Sequence, residues 1–165
     1  MKIGLISDTH CYLDEKVFTY FNDCDEIWHL GDIGNLEVLH KLQAFKPTRA
    51  VFGNIDGSEI KIETSECLVI ERGKAKAMLI HIAGPFEKYT PQVQKLIKEN
   101  QPSILLCGHS HIIKVASDKK NQLLYINPGA AGKHGFHHMR TIIRFDWENT
   151  GEIKNMQAIE LGKRA

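Results

Sequence analysis

With 165 residues, 42% of them hydrophobic and 25% charged, the chain can bury one core and is short for two, so one domain over residues 1–165 is expected. Its 21 Lys and Arg nearly balance 20 Asp and Glu, which excludes a global basic field for nucleic acid and a basic amphipathic segment for a membrane surface. The apolar run from Met1 meets Asp8 too early for a signal peptide or a spanning helix, so the protein is expected to be cytoplasmic, with no membrane among its partners; no specific nucleic acid is indicated, though the charge balance does not exclude one as substrate.

In chain order, an apolar strand from Lys2 to Ser7 runs into Asp8-Thr9-His10. Val17, Phe18 and Phe21 then recur at helical spacing, which predicts a helix from Asp14 to Phe21 with Asp14 as its cap. A strand from Glu26 to Leu30 delivers Gly31-Asp32, and Leu36, Leu39 and Leu42 predict a helix near Asn35 to Ala44, capped by Asn35. A third strand, Arg49 to Phe52, ends at Gly53-Asn54-Ile55-Asp56. Strand alternating with helix implies parallel pairing. Next, Glu66 to Glu71 and Lys76 to Ile82 read as a hairpin turning at Arg72-Gly73-Lys74, and the second strand carries His81. Val93, Leu96 and Ile97 mark a helix from Pro91 to Asn100 that stops before Pro102. The run Ile104 to Cys107 ends in Gly108-His109-Ser110-His111, and the remainder reads as strands at Ile112 to Ser117, Leu123 to Ile126, Thr141 to Asp146 and Ile153 to Leu161.

Each polar cluster falls just past a short apolar stretch, where an open α/β sheet gathers its ligands beyond the carboxyl ends of its strands. Singly, each residue has an ordinary use: Asp8 or Asp32 as a cap, Asn54 or Asp56 in a turn, His81 in a core. Together, Asp8, His10, Asp32, Asn54, His81, His109 and His111 read as a site for two divalent ions about 3.5 to 4 Å apart. Asp32, central in chain order, is the expected shared bridge. Asp8, His10 and His111 complete one ion; Asn54, His81 and His109 complete the other. Two such ions balanced by Asp8, Asp32 and a bridging hydroxide keep about one positive charge, which a phosphodiester monoanion would neutralise. Imidazole, carboxylate and amide donors suit manganese, iron, zinc, cobalt or nickel. The four cysteines form no CxxC pair, reduced thiols are expected, and Cys11 is a neighbour of the site rather than a ligand.

The blocks Asp8-Thr9-His10, Gly31-Asp32, Gly53-Asn54-Ile55-Asp56, His81 and Gly108-His109-Ser110-His111 together resemble the signature of the calcineurin-like metallophosphoesterase superfamily. The chain length and the Asn127-Pro128-Gly129 turn point to its small, single-domain phosphodiesterase branch, and the resemblance runs from Met1 to about Gly129. It implies an αββα four-layer sandwich, two mixed sheets packed face to face with flanking helices. It also implies a dinuclear centre, most often manganese, whose hydroxide hydrolyses a small phosphodiester. The implied ligand sets match those above, with Asp32 in both. Catalytic roles would fall on Asp32, Asn54 and His109, with Asn54 also touching substrate and Asp56 supporting its loop.

Two positions depart from that pattern. Ile55 stands where many members carry a histidine that helps protonate the leaving group, and Ile82 stands where glycine commonly follows the fourth block's histidine, which predicts a weaker second metal site. The stretch Lys133 to Arg140 reads either as a solvated loop or as a replacement acid, with His134 or His137 at the leaving group and Arg140 on phosphate. Gly132, Gly135 and Phe136 could instead shape a contact within a homodimer or higher homo-oligomer. Two rival functions remain: a phosphomonoesterase, and a catalytically weak protein-binding scaffold of the same fold, as in the retromer subunit.

Overall fold

The computed structural model describes residues 1–165. In chain order its elements are β1 (Lys2–Ile6), α1 (Lys16–Tyr20), β2 (Glu26–His29), α2 (Leu36–Phe45), β3 (Thr48–Ala50), α3 (Ser58–Glu63) and β4 (Cys67–Arg72). There follow β5 (Ala75–Ile80), α4 (Pro91–Asn100), β6 (Ile104–Leu106), β7 (Ile113–Asp118), β8 (Leu123–Pro128), β9 (Met139–Trp147) and β10 (Ile153–Lys163). The strands form two five-stranded sheets, ordered β10-β9-β1-β2-β3 and β4-β5-β6-β8-β7. The first has β1, β2 and β3 parallel, with β9 and β10 antiparallel beside them. The second has β5, β6 and β8 parallel between antiparallel edges β4 and β7.

Burial divides the apolar residues into three layers, as alternation along strands demands. Between the sheets, Leu5, Trp28, Phe145 and Trp147 of the first meet Leu79, Leu106 and Ile126 of the second. On the first sheet's outer face, Val17, Phe21, Leu39, Leu42 and Ile60 cover Ile6, Ile27 and Ile142. On the second sheet's outer face, Val93 and Ile97 of α4 cover Met78, Leu105 and Tyr125. The result is the expected αββα sandwich. No helix is long and apolar enough to cross a membrane.

The caps of the longer helices follow local chemistry. Asn35 Oδ1 accepts the Val38 N–H at 3.0 Å, and Thr90 Oγ1 accepts that of Val93 at 3.2 Å ahead of Pro91. Helix α1 is shorter than the periodicity suggests, starting two residues after Asp14, whose side chain still accepts a backbone N–H at the helix entry. One Asp14 oxygen takes the Lys16 N–H at 2.9 Å and the other the guanidinium of Arg140 at 2.6 Å. Helix α3 escapes the hydrophobic pattern because it buries only Ile60 while Ile62 stays 83% exposed.

Candidate metal centre

All seven candidate ligands lie just past the carboxyl ends of strands: Asp8 and His10 after β1, Asp32 after β2, Asn54 after β3, His81 after β5, and His109 and His111 after β6. Five of them occupy left-handed backbone: Asp8 (φ 53°), His10 (45°), Asp32 (53°), His109 (67°) and His111 (58°). Each such residue other than glycine costs about 1 kcal/mol or more, and such strain concentrates where a function requires it. The reversed turns bring the side chains of both sheets together.

In the first group, the ligand atoms of Asp8, His10 and His111 lie within 4.8 Å of one another. Asp8 is fully buried; its Oδ2 accepts from Ser7 Oγ at 2.6 Å and from the His109 N–H at 3.1 Å. Its Oδ1 is buried with no hydrogen-bond partner and faces His111 Nε2 at 3.2 Å. His10 Nε2 lies 3.4 Å from His111 Nε2 and 3.6 Å from Asp32 Oδ2. Burial holds the His10 imidazole below its ordinary value against the opposing pull of Asp32 and Asp8.

The second group gathers Asp32, His81 and His109 within the same 4.8 Å limit. His81 Nδ1 donates to the Leu30 carbonyl at 2.7 Å. A carbonyl can only accept, so this bond sets the tautomer and leaves Nε2 as the free donor of electrons in the neutral ring. That Nε2 lies 3.2 Å from Asp32 Oδ1 and 3.1 Å from Asn54 Oδ1. Asp32 therefore turns one oxygen toward each group. Burial raises its carboxyl, but the hydrogen bond and charge of His81, with the Ile55 N–H and His10, outweigh that and hold it below the usual carboxylate value. For His81 burial is again the largest influence and opposes the charge, yet Asp32, Asp8 and the Leu30 carbonyl leave it raised.

Asp56 joins the loops of the second group. Its carboxylate accepts the backbone N–H of Gly53 at 2.7 Å, Gly34 at 2.8 Å and Ile33 at 3.2 Å. A Cβ at Gly53 would overlap Asp32 Oδ1, so only glycine lets this loop close on the bridge position. With that loop in place, His81 is 3% exposed and tightly oriented even though Ile82 follows it.

A divalent cation fits these residues. Two carboxylates, an amide oxygen and imidazole nitrogens converge in two clusters, nitrogen faces nitrogen between His10 and His111, and the buried Asp8 Oδ1 lacks a partner. Such an orphan is costly in a protein interior and a cation would satisfy it. Cys11 is outside both groups.

The Lys133 to Arg140 stretch divides. The His134 ring lies 5.0 Å from that of His10, on the exposed side of the first group. His137 Nε2 bonds the Gly132 carbonyl at 2.9 Å while its ring packs 5.2 Å from that of His111, so it braces the loop. Arg140 is not placed to hold phosphate. It is 6% exposed, pairs with Asp14, donates to the Lys163 carbonyl at 3.0 Å and lies over the Tyr12 ring. Sequence reasoning did not single out Ser7, whose only signal is a hydroxyl at the end of an apolar run. It also gave no site role to His29, which is fully buried and lies 3.0 Å from Thr9 Oγ1 while accepting the Gly31 N–H.

Two cavities adjoin the second group. One of about 180 Å³ includes Asn54, His81, Lys61 and Glu66; the other, of about 560 Å³, includes His109, Phe86 and Lys114. The largest, about 970 Å³, is a polar hollow around α4 that includes none of the candidate ligands.

Comparison with known proteins bears on this arrangement. Residues 1–150 match the calcineurin-like phosphoesterase superfamily domain. A probable metallophosphoesterase of Methanothermobacter thermautotrophicus is 32% identical over 137 residues, 79% of this chain and 77% of that protein. Among solved structures, a novel archaeal phosphodiesterase aligns with a TM-score of 0.76 at 24% identity, covering 98% of this chain and 100% of that one. A single mutant of Vps29 from Entamoeba histolytica aligns with a TM-score of 0.75 at 16% identity, again covering 98% and 100%. At these identities the structural likenesses speak for the fold.

Proposed function

The chain belongs to the calcineurin-like phosphoesterase superfamily, and from that membership we propose that it is a phosphodiesterase dependent on two divalent ions, manganese first among the candidates. Asp8, His10, Asp32 and His111 hold one ion; Asp32, Asn54, His81 and His109 hold the other. The observation that carries this reading is the Asp32 carboxylate, which directs Oδ2 to His10 and Oδ1 to His81 on opposite sides. When bound, such ions supply Lewis acidity toward phosphoryl oxygens and make water nucleophilic at neutral pH.

The chain's own contributions follow from the contacts. Asp8 and Asp32 bring only two negative charges, so the loaded centre keeps an attraction for an anionic diester. The Leu30 carbonyl and the Asp56-braced loop hold His81 and Asn54 in their ligating orientation. To His134, exposed with its ring 5.0 Å from that of His10, this reading assigns the proton given to the departing alkoxide.

The test begins with chelator-stripped protein. Manganese, zinc, iron or magnesium is added back separately, and turnover of an aryl diester is compared with that of the matching monoester. Metal-restored diester turnover that falls roughly a thousand-fold in Asp32→Asn is expected. A faster monoester would make it a phosphomonoesterase; metal uptake with turnover of neither ester would make it a binding scaffold.

A further inference from the structure

We propose that the 560 Å³ cavity beside His109 is a specificity subsite for a planar aromatic ester group of the diester, a class that includes nucleobase-bearing and aryl alcohols. This rests on the phosphodiesterase reading, because His109 is both a wall of the cavity and a candidate ligand of the second ion. A group in the cavity is thus beside any phosphoryl held at the centre.

Volume, walls and charge all favour that occupant. The space falls within the range of about 300 to 1,000 Å³ typical of small-molecule sites, whereas the 180 Å³ hollow on the Asn54 side falls below it and is bordered by the charged Lys61 and Glu66. Its walls are apolar and aromatic: Ile82 and Ile112 are 38% and 67% exposed, and the Phe86 and Tyr125 rings meet nearly edge to face at 5.4 Å. Exposed apolar walls joined to a polar centre are unfavourable in water unless a ligand covers them.

No carboxylate lines this cavity, and its one cation, Lys114, lies 4.4 Å over the centre of the Phe86 ring without a carboxylate within salt-bridge distance. That ammonium can lie between Phe86 and a second ring. Ser110 Oγ accepts from Asn127 Nδ2 at 3.1 Å and from the Ile112 N–H at 3.3 Å, so its own proton is free to donate. An aromatic group bearing acceptor atoms would use the apolar walls, the cation and this hydroxyl together. An alkyl chain would use only the walls.

Phenylphosphonate, methylphosphonate and octylphosphonate, which carry no hydrolysable ester bond, are titrated calorimetrically into the zinc-loaded protein. Phenylphosphonate is expected to bind about ten-fold more tightly than methylphosphonate, and Phe86→Ala and Ile112→Ser each to reduce that ratio to about two-fold. The second variant changes an exposed side chain and so protects the test from loss of folding. Equal affinities in the wild type, an octyl group that outbinds phenyl, or a ratio that survives both changes would overturn the assignment. Turnover of bis(para-nitrophenyl) phosphate by the same preparations judges the enzyme reading separately: no turnover with the aryl preference intact removes the phosphodiesterase and keeps the subsite, and turnover without the preference does the reverse.

Discussion

The two ligand groups differ in what orients them. In the second, the tautomer of His81 is set by a backbone carbonyl, and Asn54 sits on a loop tied down by three hydrogen bonds to Asp56. In the first, Asp8 is anchored by Ser7, but His111 Nδ1 is buried without a partner, and the rings of His10 and His111 pack against His134 and His137 of a separate loop. One group is oriented by the sheets, the other by a loop that crosses over it. The contrast runs opposite to the weaker second site that the residue after His81 suggested.

Four experiments press on this contrast, the strongest effect first. Asp56→Ala strands three buried or partly buried N–H groups and should cost about 4 kcal/mol in urea unfolding of metal-free protein. A loss below about 1 kcal/mol would show that the loop does not depend on Asp56.

His29 lies beneath both groups, and burial lowers its imidazole to about 4. Because its folded value is below the unfolded one, its contribution is complete above the unfolded pKa and is lost as pH falls through the folded one. Between about pH 6.5 and 4 the wild type should lose on the order of 2 to 3 kcal/mol from this group, and His29→Gln should flatten that part of the curve. An unchanged slope in the variant would mean that other groups carry it.

Gly135 has φ +122°, and a Cβ there would overlap His111 Nδ1. Gly135→Ala should therefore weaken metal binding at the first group up to about a hundred-fold while leaving the second occupied. Gly57→Ala, where a Cβ meets nothing within 4 Å, is the control. Equal loss of both ions would erase the distinction between the groups. The smallest effect belongs to His134→Ala: about ten-fold slower turnover for the poorest leaving group and less for nitrophenol. A loss that does not grow with leaving-group pKa would leave His134 as packing for His10.

Much of this arrangement was legible in the chain. Short apolar runs ending in Asp8, Asp32, Asn54 and His109 announce strand ends, because a strand buried on both faces has to be apolar and a ligand has to follow it. Asn35 and Pro91 marked helix starts through local hydrogen bonding and a fixed φ, chemistry that needs no distant partner. By contrast, α3 has too few buried positions for periodicity to register, and β10 carries irregularities between Lys154 and Gln157 and between Glu160 and Gly162 that alternation cannot anticipate.

By itself, then, the sequence determined the parallel pairing of the front strands and singled out the seven candidate ligands, since each rests on the composition of a short segment, while the four layers came through the family resemblance. Only the tertiary structure decided that Asp32 turns one oxygen toward each group, that the Leu30 carbonyl orients His81, and that Arg140 is claimed by Asp14 rather than by phosphate. Those outcomes depend on which groups meet across as many as 126 positions of chain. A buried polar atom bonds whatever the packing brings within reach, and that proximity is a property of the assembled sheets.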